Sequence, residues 1–262
     1  MWSDRFSLDG RVVVVTGAAG QLGSRWSTAL ADAGASVVRL DVRRTADDGA
    51  GRFMDLQADV CDREALEEAL RSVEAELGPP HGLVNAAALD TPPGHERGMT
   101  SPESVSAEEF EATTSVNVTG TYLACQVFGG RMAQLGRGAV VNVASVYGLV
   151  SPDQRIYPAD RHTGARFVKP AAYTASKAAV IGLTKWLATW WAPSGVRVNC
   201  LTLGGVLRDQ APEFVRRYSE KVPMGRMAEE GEYDGAVIFL LSDASSYMTG
   251  SNVVVDGGLT AW

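Results

Sequence analysis

The chain has 262 residues, 28 of them glycine and 45% hydrophobic, which suffices for one large α/β domain or two small ones. A formal net charge of −7 argues against nucleic-acid binding, which leaves a basic footprint. Cys61, Cys125 and Cys200 are odd in number and lack metal-ligand spacing, so reduced buried thiols and no metal are expected; without a signal-peptide layout or a bilayer-length apolar run, the protein is expected to be soluble and cytoplasmic.

In chain order, Val12-Val-Val-Val15 reads as a short strand buried on both faces. A glycine-rich turn follows, then a helix over 22–33 stopped by Gly34, and a strand over 36–40 ending at Asp41. A third strand ends at Asp59-Val60. A helix over 62–77 is stopped by Gly78-Pro79-Pro80, and a strand over 82–86 leads into a loop rich in Pro, Gly and Ser. A long helix near 107–135 precedes a strand over 139–143. After a further loop come the helix carrying Tyr173 and Lys177, a strand over 196–201, helices near 211–220 and 229–241, and a last strand over 252–255. This alternation predicts an α/β fold: a doubly wound parallel sheet of about seven strands with helices on both faces. No linker, repeat or low-complexity tract divides residues 1–262, so a single domain is expected, with ligands outside the carboxyl ends of the strands.

Thr16-Gly-Ala-Ala-Gly-Gln-Leu-Gly23 sits between the first strand and the first helix. Glycines at 17, 20 and 23 let the backbone turn tightly and approach a pyrophosphate facing the helix N-terminus. Gly17, Gly20, Gln21, Leu22 and Gly23 are therefore candidate dinucleotide contacts. Asp41, 18 residues after Gly23, is placed to accept hydrogen bonds from ribose hydroxyls and to repel a 2′-phosphate, which favours NAD over NADP. Arg43 and Arg44 follow directly and are the groups that could rescue phosphate binding. Asp59-Val60 is placed for the adenine, and Asn85-Ala-Ala-Ala88 offers small residues where the backbone passes close to the cofactor.

Tyr173 and Lys177 are four apart on a helix and share a face. An ammonium beside a phenol favours the phenolate, so this spacing predicts a tyrosine with a lowered pKa that exchanges a proton with a substrate alcohol. The ordered set of glycine turn, Asp59-Val60, Asn85-Ala-Ala, Asn117-Val-Thr-Gly120, Asn142-Val-Ala-Ser145, Tyr173-x-x-x-Lys177 and Arg197-Val-Asn199 resembles the short-chain dehydrogenase/reductase family, in its single-domain branch, over nearly the whole chain. The resemblance implies a Rossmann-type fold and a catalytic tetrad. Tyr173 is then the general acid or base, and Lys177 tunes it and holds the nicotinamide ribose. Ser145 orients the reacting oxygen, and Asn117 anchors a water relay towards Lys177. It also implies a homotetramer paired through the helices near 107–135 and 173–190, a surface that Trp186, Trp190 and Trp191 would suit. Tyr157, 12 residues after Ser145, is a rival catalytic tyrosine, but its fourth neighbour is Arg161 and Pro158 argues against a helix there.

Several departures qualify the resemblance. Gly20-Gln21 stands where a polar residue and then glycine are usual. The glycine spacing resembles that of the extended branch, for whose extra domain the chain leaves little room. Leu203-Gly204 replaces Pro-Gly, which is expected to loosen the loop beside the nicotinamide, and Arg208 stands near an expected threonine. Carboxamide contacts are then expected from Gly204 and the backbone near Val206. The step from Ser145 to Tyr173 is 28 residues, and its loop, about 146–172, carries Asp153, Arg155, Tyr157, Asp160, Arg161, His162, Arg166 and Lys169. It reads either as a solvated charged loop or as a substrate lid whose basic residues bind a phosphate, carboxylate or polyol. The segment Pro152–Tyr157 and the Leu259–Trp262 end add a weaker likeness to oxidoreductases of flagellin-modification and related sugar pathways. The implied function is an NAD-dependent interconversion of secondary alcohol and ketone on a polar hydroxylated small molecule. Reduction of lipid-like or 3-oxoacyl substrates and non-catalytic nucleotide sensing are the alternatives.

Overall fold

The computed structural model describes residues 2–45, 53–91, 101–157 and 167–262. The strands are β1 (Val12–Thr16), β2 (Ser36–Asp41), β3 (Phe53–Gln57), β4 (Gly82–Asn85), β5 (Gly138–Ser145), β6 (Val196–Leu203) and β7 (Asn252–Val255). They form one sheet in the order β3-β2-β1-β4-β5-β6-β7, with every neighbouring pair parallel. The chain therefore winds outward in both directions from β1 and β4, and the strand order reverses between those two. In such sheets, that reversal opens a crevice at the carboxyl ends of the strands.

Helices cover both faces. On one face, α1 (Gln21–Asp32) and α6 (Asp234–Leu241) bury Trp26, Leu30, Val237 and Leu240 against β1, β4 and β5. On the other lie α2 (Arg63–Glu76), the long helical run 107–134 (α3) and α4 (Ala171–Trp191), which contribute Leu66, Val73, Phe128, Met132 and Leu187 to a second core. A shorter helix, α5 (Pro212–Ser219), follows β6. Strands sandwiched this way read as continuous apolar runs, and all five residues of β1 are buried. The Asp62 side chain caps α2 by accepting from Ala65 N, and Ser106 with Glu109 forms a capping box at the start of α3.

α3 is not a plain α-helix. Two π-helical segments, Ser115–Gly120 and Cys125–Gly129, interrupt it. Such segments concentrate at functional sites, and Asn117 lies in the first. Of the three tryptophans expected on an intersubunit surface, Trp191 is instead core, packed over Gly129. Trp186 and Trp190 are exposed and stacked, ring centroids 5.6 Å apart. Cys125 and Cys200 are buried thiols as expected, whereas Cys61 is only half-buried. Among the described residues, no helix is long and apolar enough to cross a membrane, and no His/Cys/Asp/Glu cluster could hold a metal ion.

Candidate active site

The site is assembled from the loops that leave the carboxyl ends of β1, β4, β5 and β6 and from one face of α4. After β1 the chain turns at Gly17, whose φ is +69° and whose missing Cβ would lie 2.6 Å from Ala87 N. A Cβ at Gly23 would lie 2.2 Å from the carbonyl oxygen of Gly17. Only glycine allows this turn to fold against the start of α1 and against the loop after β4. No side chain caps α1 at Gly20, which leaves the N–H groups of the first turn for a ligand. The Gln21 amide turns to Glu230 Oε1 at 2.6 Å and approaches Leu207 O at 3.4 Å, bridging the turn to the far side of the cleft.

Asp41 is buried at the end of β2. Its carboxylate accepts from Ala19 N at 3.0 Å and from Arg43 N at 2.9 Å, and the Arg43 guanidinium lies 3.5 Å away. Asp59 accepts from Cys61 N at 2.8 Å, and Val60 is buried where a Cβ on Gly120 would strike it. Asn85 turns inward, donating to Asn142 Oδ1 at 2.8 Å and Cys125 Sγ at 3.2 Å. Ala86, Ala88 and Asp90 line the cleft after β4.

That cleft has a volume of about 920 Å³ and runs from Gly17, Gly20, Gln21, Leu22 and Gly23 past Ser145, Tyr173 and Lys177 to Gly204 and Val206. An apolar wall closes its outer end, where Tyr157, Tyr218 and Met227 pack with Phe167 and Phe214. The loop after β6 is tied down despite its leucine: Gly204 N donates to Val255 O at 2.9 Å, and Gly205 N donates to the Tyr218 hydroxyl at 2.6 Å. Leu207 N donates to Ala228 O at 2.8 Å.

The structure brings Ser145, Tyr173 and Lys177 together. Lys177 is buried and donates to Val143 O at 2.9 Å, with its ammonium 5.8 Å from the centroid of the Tyr173 ring. Asn117 sits behind them. Its Oδ1 accepts from Leu89 N at 2.7 Å, while its Nδ2 donates to Leu89 O and to Ser176 Oγ, both at 2.9 Å. Its side chain thus straps the loop after β4 to α4.

The electrostatics correct one expectation. Tyr173 is not held below the usual phenol range; burial and then the charge of Asp90 push its pKa up, and a hydrogen bond with Ser145 pulls the other way. Burial also pulls Lys177 down to about 8. Desolvation opposes the charged form of both groups and outweighs the ammonium-to-phenol attraction anticipated from their spacing. The phenol is protonated across the neutral range.

The described residues of the 146–172 loop divide between the two readings. Arg155 faces solvent, paired with Asp153 at 2.8 Å, and does not line the cleft. Asp160, Arg161, His162 and Arg166 lie outside the described residues. Tyr157 belongs to the aromatic wall, its hydroxyl 3.5 Å from that of Tyr147. Among the described residues of this loop, the basic one that lines the cleft is Lys169. Its ammonium pairs with Asp90 and lies 4.4 Å from the centroid of the Tyr173 ring. Asp90 carried no sequence signal, because it sits in an irregular loop and gains meaning only from what faces it.

A family model described as enoyl-(acyl carrier protein) reductase matches residues 17–260. D-threitol dehydrogenase of Mycolicibacterium smegmatis is 34% identical, over 97% of this chain and 95% of that protein. Galactitol 2-dehydrogenase (L-tagatose-forming) of Cereibacter sphaeroides is 36% identical, over 98% of each. The crystal structure of a short chain dehydrogenase from Leptospira borgpetersenii with bound NAD+ superposes with a TM-score of 0.86 at 34% identity, covering 99% of this chain and 96% of that one.

Proposed function

The chain belongs to the short-chain dehydrogenase/reductase family, an enzyme family of oxidoreductases, and from that premise we propose that it interconverts a secondary alcohol and a ketone on a polyol-like substrate, with NAD as the preferred partner. The observation that carries this reading is one continuous cleft, with a glycine turn at one end and Ser145, Tyr173 and Lys177 at the other. The residues fit a nicotinamide dinucleotide. The turn at Gly17, Gly20 and Gly23 would clear room for a pyrophosphate, Asp41 at the end of β2 would accept from ribose hydroxyls, Asp59 would serve the adenine with Val60 buried behind it, and Gly204 and Val206, which line the cleft, would serve the nicotinamide. Bound there, the cofactor supplies a hydride acceptor or donor.

The protein supplies the rest. Ser145 holds the substrate oxygen by hydrogen bonding, and Tyr173 moves the proton on that same oxygen. A phenol with a raised pKa is in the right state to protonate a carbonyl oxygen. The opposite direction needs the phenolate, so oxidation gains as pH rises. Lys177, fixed by Val143 O, reaches the ribose side, and Asn117 keeps Leu89 and α4 in register behind it. The two relatives named for polyols support the substrate class. So does the Asp90–Lys169 pair, which sets charge where an acyl chain would otherwise run. Exposed Trp186 and Trp190 on α4, with Phe110 and Tyr122 on α3, support pairing of these helices between subunits of a homotetramer.

A screen of NAD and NADP reduction over polyols, set against reduction of 3-oxoacyl thioesters, tests the proposal. Turnover of polyols with NAD is the expected outcome; preference for the thioester would replace it with the acyl reading. Tight NAD binding with no turnover on either panel would leave nucleotide sensing. Cofactor choice has its own test. Asp41→Ala removes a carboxylate that would hydrogen-bond the ribose, a bond to a charged group worth about 1.5–3 kcal/mol. The KM for NAD is expected to rise about 10- to 100-fold, while NADP improves once the repulsion is gone. An unchanged ratio of NAD to NADP efficiency would show that Asp41 does not choose.

A further inference from the structure

Asp90 and Lys169 come from different ends of the site. Asp90 follows β4, and Lys169 lies just before α4; both line the cleft beside Tyr173. Each is held from behind by an amide. The Asn117 side chain grips both backbone groups of Leu89, the neighbour of Asp90. The Gln154 side chain grips both backbone groups of Lys169 itself, accepting from its N at 2.9 Å and donating to its O at 3.2 Å. Lys169 is 9% exposed, whereas the Asp90 side chain is 65% exposed, so the carboxylate presents open accepting edge beside a buried, directed ammonium.

We propose that the Asp90–Lys169 pair is the element that reads the substrate, gripping a hydroxyl on a carbon next to the reacting one. This rests on the alcohol–ketone reading of the site and names its substrate class: neutral vicinal polyols. A hydroxyl is both donor and acceptor, so one group gives its proton to Asp90 and accepts from Lys169. A simple secondary alcohol leaves that pair unanswered. A sugar acid is disfavoured, because the ammonium is already neutralised and the exposed charge at this point is negative. The ammonium over the Tyr173 ring keeps the grip within one residue's reach of the proton-transfer group. A buried ammonium also needs its partner to remain in place, which explains why the two clamps fix loops rather than reactive atoms.

The test compares wild type, Lys169→Met and Asp90→Asn on threitol, xylitol and galactitol, on 2-butanol, 2-pentanol and 2-hexanol, and on gluconate. Binding of the polyols to the enzyme–NADH complex is measured in parallel by calorimetry. Both variants are expected to lower the ratio of kcat/KM for polyols to that for 2-alkanols by about 10- to 100-fold, mostly through the polyol KM; the effect of the lost charge on the proton affinity of Tyr173 falls on both substrate classes alike and cancels in that ratio. Asp90→Asn is expected to gain on gluconate. Equal losses on polyols and 2-alkanols, unchanged polyol KM, or a wild type that prefers gluconate would each overturn the proposal. Asp90→Asn alters an exposed side chain and carries the test alone if Lys169→Met does not fold. Should wild type bind polyols without oxidising them, the alcohol–ketone reading falls while the calorimetric losses in the variants still decide the pair's role; no polyol binding at all overturns it.

Discussion

Replacing Tyr173 by phenylalanine is expected to lower kcat by about 10²- to 10⁴-fold, the range that a positioned general acid or base contributes, while the dissociation constant for NAD changes by less than about threefold. The substitution removes one oxygen at the inner wall of the cleft and keeps the ring that Lys169 overlies at 4.4 Å. The ring's packing is therefore kept, and the loss isolates proton transfer. Steady-state turnover and quenching of protein fluorescence by NAD separate the two effects. If turnover and NAD affinity fell together, Tyr173 would be a binding residue and the proton would have to move elsewhere.

Lys177→Met is expected to do two opposite things: abolish most turnover and raise the unfolding midpoint at pH 7. Lys177 is buried, and burial lowers its pKa from 10.5 to about 8. Between those values the unfolded chain holds the proton and the folded chain has released it, so stability rises with pH across that window. Below about 8 both states hold the proton, and the folded protein carries the full cost of a poorly solvated ammonium, on the order of 3 kcal/mol. Methionine has similar length without the charge. The variant should therefore unfold at a higher temperature at neutral pH and lose the rise in stability towards pH 10. Thermal denaturation at several pH values, beside turnover, checks both. A variant less stable at pH 7 would mean that the bond to Val143 O outweighs the desolvation of the charge.

Much of this site was legible before any coordinates. Val12–Val15 could only be a doubly covered strand, and the glycines at 17, 20 and 23 could only serve a tight turn, because those readings depend on local sterics and on the period of the pattern. The helical spacing of Tyr173 and Lys177 likewise placed both in one cleft. Where a side chain points depends on what lies across the fold. Asn85-Ala-Ala-Ala88 reads as backbone passing close to the cofactor, and the Asn85 amide itself is spent on Asn142 and Cys125 in the layer below. Trp191 reads like Trp186 and Trp190 but falls on the core side of α4. Arg155 reads like a lid residue, yet its nearest carboxylate, Asp153, holds it at the surface.

By itself the sequence determined the order of strands and helices, the nucleotide turn, and the identity of Ser145, Tyr173, Lys177 and Asn117 as candidate chemistry. Short-range spacing specifies the strands and helices, the turn and the Tyr173–Lys177 pair, whereas Ser145 and Asn117 take their candidate roles from the family resemblance carried by the order of motifs. Only the tertiary structure decided the sign of the shift on Tyr173, because desolvation depends on every element packed around the ring. It alone brought Asp90 to Lys169 across 79 residues of chain. Two loops with no periodicity of their own meet there, each pinned by a side-chain amide, and their meeting point is set by the packing of α3 and α4 on the sheet.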